Sequence, residues 1–266
     1  MIGLIGTGDL GAAIATGWLR SGAVAAGDLI LLNRSGDWAG AADWPAVAVT
    51  TDLVRVERAC DTVLLALPPA AMATFRAALP DRLVLSVMAG ISLAHLSDAS
   101  GGARVIRAMS SPAAAAGMAY SPFCPGPSAT GADIATAERL LGALGLTDRV
   151  GAEDLLDVFT AMTGPVPGFV ALFAASMADY ATAQGVPEAI AHRAIRQLFA
   201  AAGDSLSGSD APPRAAVDAM IAYAGTTAAG IEAMEAAGLG DVVATGLEAA
   251  RRKARHMGQD ASGGIE

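Results

Sequence analysis

The chain opens Met1-Ile2-Gly3-Leu4-Ile5-Gly6-Thr7-Gly8-Asp9-Leu10-Gly11, and the reading of this stretch decides the fold. Ile2 to Ile5 is a short apolar run of the kind that forms a buried strand. The glycines that follow have the spacing a strand–turn–helix needs if a dinucleotide is to lie across it. Gly6 permits the tight turn, Gly8 lets backbone approach a pyrophosphate, and Gly11 lets the helix pack close to the strand. The first N–H groups of the helix then face the phosphates. Such a triplet alone is weak. Here it directly follows a strand and opens a helix, so a mere tight turn is a poor account of it. Gly6, Thr7, Gly8, Asp9 and Leu10 are the first candidate cofactor contacts.

The second strand pattern, Leu29 to Leu32, ends in Asn33-Arg34-Ser35. An NAD enzyme usually carries a carboxylate here for the ribose hydroxyls. A carboxylate would repel a 2′-phosphate, whereas Arg34 can pair with one and Ser35 can donate a hydrogen bond. Asn33, Arg34 and Ser35 therefore point to NADPH (NADP+), with Asp37 as a mild counter-indication.

Further runs, Val47 to Val49, Thr62 to Leu67, Leu83 to Val87 and Val105 to Ile106, alternate with helical segments. This pattern predicts a doubly wound, mostly parallel α/β sheet, a Rossmann domain over residues 1–151. From residue 152 only helical patterns occur, with Glu153 and Asp154 at a helix start. Phe169 to Ala183 is apolar on nearly every face, with Asp179 its only charge, so it must be buried all round. A domain of residues 152–258 can hardly enclose it, which implies a subunit interface. In the next helix Ile190, Ala194, Leu198 and Ala202 share a face. Ser205 to Pro213 reads as a loop, followed by helices near residues 226–237 and 241–256, the last ending in a solvated basic cluster, Arg251 to Arg255. Residues 259–266 are expected to form a disordered tail.

The composition is 53% hydrophobic, which excludes extensive disorder. A net charge of −9 argues against a nucleic-acid or anionic-membrane partner. Two uncharged stretches, Ala108 to Ala132 and Val158 to Ala178, are interrupted by prolines, so neither is expected to cross a membrane. A strand pattern from Met1 leaves no place for a signal peptide in this reading. Cys60 and Cys124 lack metal spacing and read as buried thiols of a cytoplasmic protein. No metal site is expected. His95, His192 and His256 stand beside no motif.

Several stretches carry a resemblance. They are Leu31 to Ser35, Leu83 to Ile91, Arg104 to Met109, Ala183-Gln184-Gly185-Val186-Pro187 and Ala224-Gly225-Thr226-Thr227-Ala228-Ala229-Gly230-Ile231. In their order and spacing the chain is similar to pyrroline-5-carboxylate reductases from Met1 to about Met257. The resemblance implies a Rossmann domain followed by an all-α dimerisation domain, with helices interleaved in a homodimer or higher oligomer. It also implies hydride transfer to the C=N carbon of a small cyclic imine, as in proline biosynthesis. The loops after Leu67 and Val87 would flank the nicotinamide, making Ala66, Leu67, Pro68, Met88, Ala89 and Gly90 cofactor contacts. Thr227 matches the family hydroxyl that bonds the ring nitrogen, and is the candidate catalytic residue. Gly225 and Thr226 would receive a substrate carboxylate, although these threonines could equally cap the helix.

The sequence departs from the family on the substrate side. The Met-Pro-Asn-Thr-Pro loop is here Met109-Ser110-Ser111-Pro112. The Ser-Gly-Ser-Gly-Pro turn is Thr163-Gly164-Pro165-Val166-Pro167. Ser-Pro-Gly-Gly-Thr-Thr is Ala222-Tyr223-Ala224-Gly225-Thr226-Thr227. Ser110, Ser111 and Tyr223 thus become candidate substrate contacts, and an altered imine is expected. Two other readings stay open: an NADP-dependent dehydrogenase of a small hydroxy or amino acid, and a non-catalytic NADP(H)-binding protein. A β-hydroxyacid dehydrogenase is disfavoured, because its catalytic lysine has no counterpart: Lys253 is the only lysine.

Overall fold

The structure is a computed structural model that describes residues 1–261. Five parallel strands arise from the expected apolar runs: β1 (Ile2–Ile5), β2 (Leu29–Leu32), β3 (Ala48–Thr50), β4 (Thr62–Leu65) and β5 (Leu83–Ser86). A sixth expected run, Val105 to Ile106, forms β6 (Arg104–Ala108), which extends this parallel sheet. Three further strands were not expected: β7 (Ala119–Tyr120), β8 (Phe123–Pro125) and β9 (Gly145–Leu146). The main sheet runs β3-β2-β1-β4-β5-β6-β8, parallel except for β8. The prolines at 122 and 125 hid β8 in the sequence, and they are tolerated because this strand lies at an edge.

Helices α1 (Asp9–Ser21), α2 (Leu53–Ala59), α3 (Leu93–Ala99) and α4 (Gly131–Gly142) accompany the sheet. The strands read as unbroken apolar runs because both faces are covered. Leu4, Leu31, Leu64, Leu85 and Ile106 pack on one side with Ile14, Trp18 and Leu140. Ile5, Ile30, Val63, Val84 and Val105 pack on the other with Val56 and Leu96. Trp18 is fully buried, and its indole N–H is satisfied by the Leu140 carbonyl at 2.7 Å.

The rest is helical: α5 (Leu155–Thr163), α6 (Val166–Ala183), α7 (Glu188–Ser207), α8 (Pro213–Ala222), α9 (Thr226–Ala236) and α10 (Leu239–Ala261). The chain divides into two compact units, Met1–Gly164 with Ala249–Glu266, and Pro165–Glu248. Arg107 on β6 holds Glu153 and Asp157 at 3.0 and 2.7 Å, which ties the start of α5 to the sheet. Glu153 therefore pairs with a strand instead of serving only a helix terminus.

One expectation in the second half holds: the 158–178 stretch is interrupted, α5 ending at Thr163 and α6 starting at Val166, with Pro165 and Pro167 at the break. Both prolines sit at the start of α6, where proline is tolerated, and the helix continues to Ala183. α6 is, among the described residues, the one helix long and apolar enough to cross a membrane by length and composition. Other expectations need correction. α8 was missed, and the 205–213 loop is shorter, because α7 runs to Ser207 and Pro212-Pro213 opens another helix. On α7 the buried residues are Ala191 and Ile195, while Ile190 and Leu198 are exposed. The 251–255 cluster is not a helix end, since α10 continues to Ala261, and Arg255 pairs with Asp157 at 3.2 Å. The expected tail thus starts inside a helix at 259–261, and its remainder, 262–266, lies outside the described residues.

Candidate active site

Strand order reverses between β1 and β4, and a parallel sheet leaves a crevice at the carboxyl ends of its strands at such a point. A cleft of about 950 Å³ lies here, within the first unit. Its walls come from residues that follow strand ends. Gly6 to Leu10 follow β1, Leu32 to Ser35 end β2, and Thr51 follows β3. Ala66 to Pro69 follow β4, Val87 to Ala89 follow β5, and Met109, Ser110 and Pro112 follow β6. Thr160 and Gly164 complete it from α5.

The glycine loop has the geometry that its spacing implies. Gly6 has φ +95°, and a Cβ there would lie 2.7 Å from the Ala66 carbonyl oxygen. A Cβ on Gly11 would lie 1.8 Å from the Gly6 oxygen, so helix and strand could not approach as they do. A Cβ on Gly8 would meet nothing within 4 Å. The space over Gly8 is open on the cleft side, at the N-cap of α1, where no side chain caps the helix. Uncapped N–H groups beside an open glycine fit a diphosphate.

At the end of β2 the Arg34 side chain is exposed and, among the described residues, makes no hydrogen bond or ion pair. Ser35 lies beside it, and the exposed Thr51 lines the same end of the cleft. The Asp37 carbonyl accepts from the Asn33 carboxamide at 2.7 Å, which folds the 33–37 loop on itself.

Every expected cofactor contact lines the cleft except Gly90, which has φ +75° in the turn just beyond Ala89. Ser110 lines it, but is buried with its hydroxyl 2.9 Å from that of Ser121. Ser111 does not line it. Instead it precedes a short helical turn, 112–116. Tyr223, Gly225, Thr226 and Thr227 belong to the second unit. There Gly225 is the N-cap of α9, so neither threonine caps the helix through its side chain. Among the described residues the exposed Thr227 hydroxyl has no hydrogen-bond partner. Tyr223 is 86% exposed, and Ala224 has φ +57°, a left-handed conformation strained for any residue with a Cβ.

Sequence reasoning missed Thr51 and Met109, which the rule about carboxyl strand ends could have supplied. It also missed Thr160 and Gly164, whose place depends on how α5 is held. Arg107 supplies that hold: it is buried and salt-bridged to Glu153 and Asp157, and Glu153 also accepts the Leu93 N–H at 2.8 Å. Both cysteine thiols have pKa values raised by burial above all, so neither is an activated nucleophile. No cluster of three metal-ligating side chains occurs among the described residues.

Comparison with known proteins agrees with this architecture. Residues 153–257 match the family model of pyrroline-5-carboxylate reductase dimerisation, and residues 1–90 match that of NADP oxidoreductase, coenzyme F420-dependent. The pyrroline-5-carboxylate reductase of Thermus thermophilus is 30% identical over 97% of this chain and 98% of its own. The crystal structure of the Streptococcus pyogenes 1-pyrroline-5-carboxylate reductase is 26% identical, covers 96% of this chain and 98% of its own, and superposes with a TM-score of 0.80. The Plasmodium falciparum enzyme, solved with NADP bound, has the same fold at a TM-score of 0.80, with 20% identity over 97% of each chain. The dinucleotide cleft of an NADP-binding domain is therefore followed by a dimerisation domain that suggests a homodimer, and the chain, a pyrroline-5-carboxylate reductase-like oxidoreductase, belongs to the pyrroline-5-carboxylate reductase family.

Proposed function

We propose that the protein is a homodimer that uses NADPH, in preference to NADH, to reduce a small cyclic imine related to pyrroline-5-carboxylate. The observation that carries the cofactor preference is the unpaired Arg34 guanidinium beside Ser35 at the β2 end of the cleft. A 2′-phosphate would satisfy that cation, and no carboxylate stands at the end of β2 to repel it.

When bound, NADPH supplies the hydride that reduces the imine carbon. The chain's own residues position, shield and hold a proton. Gly6 to Leu10 receive the diphosphate, and Arg34, beside Ser35, the 2′-phosphate. Ala66 to Pro68 and Met88 to Gly90 confine the nicotinamide, in apolar surroundings that exclude water. A protonated cyclic imine is already an electrophile, so orientation matters more than a strong acid. Thr227 hydrogen-bonds the ring nitrogen, with the free N–H groups at Gly225 and Thr226 available to a carboxylate. Ser110 bounds the cleft where β6 ends, and Tyr223 stands two residues before Gly225 in the substrate loop of the second unit. Because Ser110 is tied to Ser121 and Tyr223 replaces a proline, the preferred ring or its substituent differs from that of pyrroline-5-carboxylate.

The test is NADPH and NADH consumption by the purified protein with a panel of pyrrolines and piperideines, with and without carboxylates. We expect turnover with NADPH and an imine other than pyrroline-5-carboxylate as the best substrate. Fastest turnover of pyrroline-5-carboxylate itself would overturn the altered specificity, and equal use of NADH would overturn the cofactor assignment.

A further inference from the structure

Asn33 stands where an NAD enzyme would place its ribose-binding carboxylate. A carboxamide offers two N–H donors and two oxygen lone pairs. In Asn33 all four are engaged within the protein. Nδ2 donates to the Thr7 hydroxyl oxygen at 2.6 Å and to the Asp37 carbonyl at 2.7 Å. Oδ1 accepts the Gly36 N–H at 2.8 Å and the Ser35 hydroxyl at 3.2 Å. A side chain saturated in this way has nothing left to offer a ligand.

Resting on the NADPH reading above, we propose that Asn33 is a positioning residue that does not itself bind the cofactor. It folds the 33–37 loop and pins it to the glycine loop at Thr7, so that the 2′-phosphate site is shaped before the cofactor arrives. Arg34 keeps its guanidinium free while the neighbouring backbone is fixed around it, and the exposed Asp37 carboxylate is held in the loop through its backbone. Gly36, at φ +74°, gives the turn that brings Asp37 back onto Asn33. Beyond it Trp38 is buried and stacked on Trp44, with ring centroids 5.7 Å apart, which anchors the far end. A loop already in its bound shape loses less entropy on binding, so the pin raises affinity without making a contact. Since it acts through the phosphate site, its effect should fall on NADPH and spare NADH.

The experiment is a double-mutant cycle of Asn33→Ala and Arg34→Ala on the full chain. Affinities for NADPH, NADH, 2′,5′-ADP and 5′-AMP are measured by calorimetry, with amide hydrogen exchange at Gly36 followed in the ligand-free protein. Asn33→Ala should weaken NADPH and 2′,5′-ADP by about tenfold or more, change NADH by less than about twofold, and be strongly non-additive with Arg34→Ala. Gly36 should lose its protection from exchange. Additive losses would make Asn33 a direct ligand and overturn the proposal. Equal losses for NADPH and NADH would reduce it to a structural residue and overturn it as well. If the unmodified protein binds 2′,5′-ADP no better than 5′-AMP, the NADPH reading itself fails. The pin is then decided by Gly36 alone: faster exchange in Asn33→Ala supports it, and unchanged exchange overturns it.

Discussion

Gly8 and Gly11 are separated by two residues, and a methyl group at each should have a different consequence. At Gly11 it would collide with the Gly6 oxygen inside the strand–helix contact, so Gly11→Ala should lose folding stability together with cofactor binding. At Gly8 it would meet only open cleft, and the backbone there, at φ −68°, suits alanine. Gly8→Ala should keep the unmodified Tm to within about 1 °C yet lose about tenfold or more in NADPH affinity, because the methyl occupies the place of a phosphate. A calorimetric scan and a titration separate the two, and undiminished NADPH binding by Gly8→Ala would contradict the placement of the diphosphate. Thr227 is a test of chemistry rather than of binding. Thr227→Ala should lower turnover by about ten- to a hundredfold with NADPH affinity nearly unchanged, and Thr227→Ser should restore most of it. Unchanged turnover would remove Thr227 from the mechanism.

Among the elements, α4 shows how one helix start is tied to the sheet. Thr130 and Asp133 form a reciprocal capping box, and the Asp133 carboxylate also takes two hydrogen bonds from Arg104 on β6, at 2.8 and 3.1 Å. Burial pushes the Asp133 carboxyl upward, but the bonds from Arg104 and Thr130 outweigh it and bring the pKa from 3.8 down to about 2. The folded-state value is depressed, so this contribution is present in full above about pH 4 and lost as the pH falls towards 2. Asp133→Asn should therefore destabilise the protein at neutral pH by on the order of 2 kcal/mol, with the gap closing in acid. Urea unfolding of both proteins between pH 3 and 7 checks it; a gap independent of pH would mean that the charge contributes nothing.

The same scale shows what could be read in advance. Strands β1 to β5 were legible because burial on both faces leaves an unbroken apolar run, and the glycine loop because each glycine answers a separate steric demand. β8 was not, since Pro122 and Pro125 look like interruptions until an edge position is known to accept them. α8 was legible in principle, with Pro213 at its first position and Val217, Met220 and Ile221 behind it. It was hidden by the polar residues before it. Thr160 and Gly164 reach the cleft through Arg107, an ion-pair partnership across some fifty residues that no local pattern encodes.

For the whole molecule the decisive feature is α6. Leu172 is 69% and Tyr180 is 70% exposed in the single chain, and Phe169, Val170 and Phe173 are exposed with them. Of the helix's own residues only Ala178 is buried. A helix that is apolar all round and uncovered needs a partner surface. The proposed homodimer supplies one, and Leu172→Asp should then give a monomer or an aggregate in sedimentation velocity, with NADPH-dependent turnover lost. A stable monomer of the unmodified protein would refute the dimer.

That helix also sets a waiting time for the newly made chain. In the proposed homodimer, until two copies meet, each exposes the surface that folding within one chain leaves uncovered. The meeting is a bimolecular event, whereas the first unit's sheet can close unimolecularly. With association at roughly 10⁶ M⁻¹s⁻¹, chains at about 1 µM wait on the order of a second for a partner, and tenfold dilution lengthens the wait tenfold. Recovery of active protein after dilution from denaturant should therefore pass through an optimum concentration: below it assembly is too slow, and above it the uncovered helices find the wrong neighbours first.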